Sequence, residues 1–138
     1  MAPNGWLHRR RMLIASVAVV LAWGEGCQRR DAKAVAIVQR ELDLLKPPVG
    51  VTPTDQRVGL GEMNAEGAQT YCVNDEKAGQ IALDSMLRNA GWEPVSSSTT
   101  ADATIWHYRK DQCLGSVVLE NQQQQCGRRF RVNVVAPL

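Results

Sequence analysis

A chain of 138 residues has room for one folded domain of ordinary size. It carries 16 Lys or Arg against 14 Asp or Glu, and the excess lies at the front, where Arg9, Arg10 and Arg11 face only Glu25. Residues 28–138 are therefore formally neutral, which excludes nucleic acid as an expected partner, since that affinity comes mainly from neutralised phosphates. The densest basic cluster, Arg128-Arg129 with Arg131, reads as the solvated face of a strand.

The front of the chain reads as an address. Arg9 to Arg11 precede an apolar run from Met12 to Trp23, and small residues then lead to Cys27, the order found in a secretory signal. An uncleaved membrane helix would need about 20 apolar residues, and this run is broken at Gly24-Glu25. The stretch Leu21-Ala22-Trp23-Gly24-Glu25-Gly26-Cys27 resembles the lipobox of bacterial lipoproteins, with Gly26 filling the small position before the cut. Gly24 and Glu25 depart from the usual residues of that motif. The resemblance implies lipid attachment at Cys27; cleavage elsewhere would leave a soluble exported product. Acyl chains contributing about 0.8 kcal/mol per buried CH₂ would hold the protein on its membrane. Gln28 stands where an Asp marks inner-membrane retention in Gram-negative lipoproteins, so the resemblance implies an outer-membrane anchor with the domain facing the periplasm in a Gram-negative host, and a cell-membrane anchor otherwise. The expected organisation is an export signal over residues 1–27 and a single exported domain over 28–138, the membrane being its first partner through the N-terminal lipid.

In the exported part, Val35, Val38, Leu42 and Leu45 recur at helical spacing between Asp31 and Lys46, and Lys33, Arg40, Asp43 and Lys46 cover the other sides. Pro47-Pro48 ends this amphipathic helix. Residues 47–69, with three Pro and four Gly, show no sustained period and read as a long loop, either a binding loop or a spacer, with room for a short edge strand near Arg57 to Leu60. Thr70 to Val73 reads as a strand and Asn74 as the cap of a second helix, whose first turn holds Asp75 and Glu76. Leu83, Met86, Leu87 and Ala90 form its buried stripe, and Gly91 closes it so that Trp92 folds back and leads into a strand through Val95. Ser96 to Thr100 reads as a turn or connector. Strands follow at Ala103 to Lys110, Leu114 to Glu120 and Arg128 to Val135, joined by turns at Asp111-Gln112 and Gln122 to Gln125. This order predicts an α+β domain, two helices packed on one face of a small, mainly antiparallel sheet.

Pro47, Pro48, Gly50, Leu87, Gly91 and Trp92 resemble the pattern of small envelope lipoproteins in which a short helix, Pro-Pro-x-Gly, a strand, a helix ending in Gly-Trp and a strand meander succeed one another. That resemblance implies a compact tethered domain to which no chemistry is assigned.

Catalytic residues are not legible. The exported part contains one imidazole, His107, which alternates with Ile105 and Arg109 along a strand while Trp106 and Tyr108 take the other face. It lacks a nucleophile elbow, a phosphate loop and a metal-ligand pattern, so neither cofactor nor metal is expected and the reading is non-enzymatic. Of the cysteines beyond Cys27, strand direction favours a Cys72–Cys126 disulfide, with Cys72–Cys113 as the alternative. If the strands holding Cys72 and Arg128 are antiparallel neighbours, the end of one meets the start of the other. Cys113 would then face the core beside Gly115, Val117 and Leu119. The functional expectation is a non-catalytic envelope lipoprotein that binds a protein or the cell wall; the alternative is a secreted inhibitor or immunity-like protein that blocks an enzyme with the 47–69 loop.

Overall fold

The computed structural model describes residues 26–120 and 125–138. The expected export signal, apart from Gly26 and Cys27, and most of the expected turn at 122–125 lie outside the described residues. Contacts divide the chain after Lys33. The described part of the first unit, residues 26–33, is helical, and none of the described helices is long and apolar enough to cross a membrane. The second unit, Ala34 to Leu138, contains the sheet and its core.

Helical backbone over residues 26–43 forms α1, and Glu76–Asn89 form α2. The strands are β1 (Val51–Leu60), β2 (Asn64–Val73), β3 (Glu93–Thr99), β4 (Ala103–Lys110), β5 (Cys113–Glu120) and β6 (Arg128–Pro137). They form one antiparallel sheet in the order β1-β2-β6-β5-β4-β3. Helix α2 carries the chain from β2 to the far edge, and β3 to β6 return as a meander whose last strand slots beside β2.

Two expectations fail here. Residues 47–69 are not a long loop, because β1 and much of β2 occupy them and pair from Val51↔Val73 to Leu60↔Ala65. Ser96 to Thr99 are not a connector, because they pair with His107 to Thr104. Both missed strands are sheet edges, or lie beside one, where apolar alternation is not required. Every residue of β3 is exposed, and most of β1 is. Each edge strand also carries a proline and an irregular register, Pro53 before the shift to Gln56 and Pro94 before the shift to Ser96. These devices discourage edge-to-edge pairing with other chains.

The core lies on one side of the sheet. Phe130, Val132, Val134 and Ala136 of β6 are fully buried, while Arg129, Arg131, Asn133 and Val135 between them are not. Ala34, Val38 and Leu42 of α1 and Leu45 just after it join this core, with Val35 half-buried beside them. A methyl group on Gly67 would meet Val38 Cγ1 at 2.5 Å and Leu42 Cδ1 at 2.8 Å, so α1 crosses β2 where a side chain is missing. Helix α2 approaches the same way, with Val73 side-chain atoms 2.6 Å from where a Cβ on Gly79 would stand. Its N-cap is Asp75, one residue later than the expected Asn74; the Asp75 carboxylate accepts from the Ala78 amide at 2.9 Å. At the other end the Gly91 amide donates to Arg88 O and the Trp92 amide to Leu87 O, each at 3.0 Å. With Gly91 at φ +94°, this is the paired closure that suits a left-handed glycine.

The disulfide follows the expected strand directions. Cys72 and Cys126 are bonded, with their Cα atoms 5.9 Å apart, and join the end of β2 to the entry of β6. Cys113 is buried as a free thiol on the core face. The bridge closes a 54-residue separation, so Cys72→Ala/Cys126→Ala should lower unfolding free energy by about 2–4 kcal/mol in urea titrations. A double variant as stable as the parent would show that the bridge restricts the unfolded chain very little.

Candidate binding face

Residues paired across neighbouring strands share a face, so the register maps both sides of the sheet. Gly67, Val73, Gly115, Tyr108 and Lys110 lie on the core side, and each meets a group from α1, α2 or the segment after α2. Val38 and Leu42 meet Gly67, Gly79 meets Val73, and Trp92 lies against Gly115. The Tyr108 hydroxyl donates to Asp84 Oδ1 at 2.7 Å, and Lys110 Nζ donates to Glu41 Oε2 at 2.7 Å. Burial, the Asp84 hydrogen bond and the Asp84 charge together raise the Tyr108 pKa well above the usual phenol value.

The opposite side presents Glu66, Ala68, Thr70 and Cys72 of β2 against Val135, Asn133, Arg131 and Arg129 of β6. Arg57 and Gly59 of β1 extend these rows outward, and Ser116 and Val118 of β5 extend them inward. Ala68, Thr70 and Cys72 of β2, lying between Arg57 of β1 and Arg129, Arg131 and Asn133 of β6, make a trough that runs on to Glu66 and Gly59. Two adjoining recesses lie along it, of about 330 Å³ and 510 Å³, and they share Arg57, Ala68 and Asn133. At one end stand Arg57, Arg129 and Arg131; at the other, Gly59, Leu60 and Val135. In the middle Asn133 Nδ2 donates to Ser116 Oγ at 3.1 Å.

No protein-family model, curated protein or solved structure matches this chain. The functional reading therefore rests on the residues themselves.

Each residue singled out in the sequence has a definite place. Cys27 is exposed in the helical stretch 26–33. His107 is exposed on the open face with Ile105 and Arg109, opposite Trp106 and Tyr108, as the alternation predicts. Its cross-strand neighbour is Ser116, but no hydrogen bond joins them among the described residues, and the Ser116 hydroxyl is engaged by Asn133. The Cys113 thiol is pushed up by burial first, then by the Glu41 and Asp111 charges, which keeps it protonated and unreactive. The basic cluster divides: Arg128 reaches Glu76 of α2 at 2.6 Å, while Arg129 and Arg131 turn to the open face. The Arg131-to-Asn133 alternation was a visible signal for that face. The approach of Arg57 from β1 was not, because its strand carries no periodic pattern.

Proposed function

We propose that this chain is a non-catalytic envelope lipoprotein, tethered through Cys27, whose domain binds an envelope partner through the sheet face that the helices leave open. The observation that carries the binding half is the trough over β2, a concave surface of polar and basic side chains opposite the packed core. Both helices cover the other face. The anchoring half draws on the leader and on the exposure of Cys27. The inhibitor reading has less support, since the segment it assigned to cleft-blocking is paired along most of its length.

Palmitate labelling in the producing cell should mark the parent and be lost in Cys27→Ser. Equal labelling of that variant would sink the anchor. For the binding half, a photo-crosslinking residue at Ala68 should capture an envelope component that the same residue at exposed Ile81 on α2 does not. Identical products from both positions would sink the open-face reading.

A further inference from the structure

We propose that the trough over β2 seats an extended peptide segment bearing a carboxylate side chain, which is held between Arg57 and Arg131. The proposal deepens the binding-module reading and rests on it.

The shape favours a chain over a small ion. The floor runs from Cys72 through Thr70 and Ala68 to Glu66, which at about 3.4 Å per residue is about 20 Å long. Its walls rise from β1 and β6, two strand spacings or about 10 Å apart. A compact anion would fill only the arginine end, whereas an extended segment would also reach Gly59 and Val135. Val135, half-buried on the open face, is the apolar contact at that end. Midway, the Asn133–Ser116 hydrogen bond uses an amide N–H and a hydroxyl lone pair. It leaves the Asn133 carbonyl oxygen to accept and the Ser116 hydroxyl to donate, the pair of groups a peptide backbone needs.

The charges set the sign of the ligand group at the arginine end. Arg57 lies 3.4 Å from Asp55, and Glu120 lies 3.8 Å from Arg129 and 3.9 Å from Arg131. None of these three guanidinium groups forms a hydrogen bond among the described residues. Their side chains are 86%, 41% and 41% exposed, so forked donors remain for a carboxylate. Along the whole trough three guanidinium groups meet three carboxylates, Asp55, Glu120 and Glu66, but Glu66 stands at the far end of the floor, so positive charge is in excess at the arginine end alone. That balance suits one acidic side chain. A phosphate polymer would instead press repeated charge onto Asp55, Glu66 and Glu120.

The test uses the full chain in mild detergent and a fluorescent peptide of about eight residues, long enough for the trough, with blocked ends, one central Glu and a terminal Leu. Anisotropy should show saturable binding that weakens with salt and falls about tenfold or more in Arg57→Gln, in Arg131→Gln, and when the peptide Glu is replaced by Gln. Arg109→Gln, on the same face but outside the trough, should bind as the parent does. Circular dichroism confirms that each variant is folded. Equal binding of the Glu and Gln peptides, an equal loss in Arg109→Gln, or no saturable binding would each overturn the proposal. Loss of peptide binding with position-specific crosslinking retained at Ala68 would reject this ligand while leaving the binding-module reading intact. Loss of both would reject the two together.

Discussion

Trp92→Ala should destabilise the domain by about 3–5 kcal/mol, while Trp92→Phe should cost much less. Trp92 is 2% exposed and sits where two contributions meet. Its backbone amide closes α2 on Leu87 O, and its ring lies flush on Gly115 of β5, with Cζ3 2.9 Å from where a Cβ would stand. Truncation to Ala empties a large volume between the end of α2 and the sheet, and the glycine beneath offers nothing to refill it. Phe keeps most of the apolar area. It also removes the indole Nε1, which is buried without a hydrogen-bond partner among the described residues. Losing an unsatisfied donor offsets part of the lost packing. Urea unfolding followed by circular dichroism gives both values. An Ala cost below about 1 kcal/mol would mean that the indole is not the plug joining α2 to β5.

The same residue shows what was legible beforehand and why. Gly91-Trp92 at the end of an apolar helical stripe announces a left-handed stop followed by a buried ring, and each step depends on local chemistry alone. The strands β4, β5 and β6 were legible for a similar reason: with a core on one side only, they must alternate. The Cys72–Cys126 bond followed from the direction of two such strands. β1 and β3 were legible only in fragments, near Arg57 to Leu60 and through Val95, because an edge strand in this sheet is held by backbone hydrogen bonds and buries almost no side chains. β2 hid differently. Its end, Thr70 to Val73, reads as a strand and puts Tyr71 and Val73 into the core, but the earlier core-facing positions are Ala65, Gly67 and Gln69, small or polar because α1 comes down directly onto Gly67. Tight helix packing therefore erased the apolar pattern that would have revealed the strand. The trough was lost with β1 and β2, since Arg57, Ala68 and Arg131 lie far apart along the chain and only the strand order makes them neighbours.

The amphipathic pattern of α1 also concealed Glu41, which is 3% exposed among residues expected to be solvated. Its carboxylate accepts from Lys110 Nζ at 2.7 Å and lies 3.5 Å from Arg40, tying α1 to the end of β4. The two partners are unequally placed. The Glu41 side chain is 4% exposed and that of Lys110 19%, so the ammonium group stands closer to water. Lys110→Met should therefore cost about 1–3 kcal/mol, since it leaves a carboxylate with little access to solvent and, among the described residues, only the exposed Arg40 as partner. Glu41→Leu should cost less, because the released lysine can extend along its stem and rehydrate. The double variant Glu41→Leu/Lys110→Met should lie near the parent or above it, as an apolar pair removes two desolvation penalties together. Cys113 offers a second readout. Glu41 raises its thiol pKa and Lys110 lowers it, so alkylation in Lys110→Met should need higher pH than in Glu41→Leu. A double-mutant cycle built from urea midpoints tests the asymmetry. If the two single variants lose equal stability and the double loses their sum, the pair is not coupled, and α1 is held to β4 by apolar packing alone.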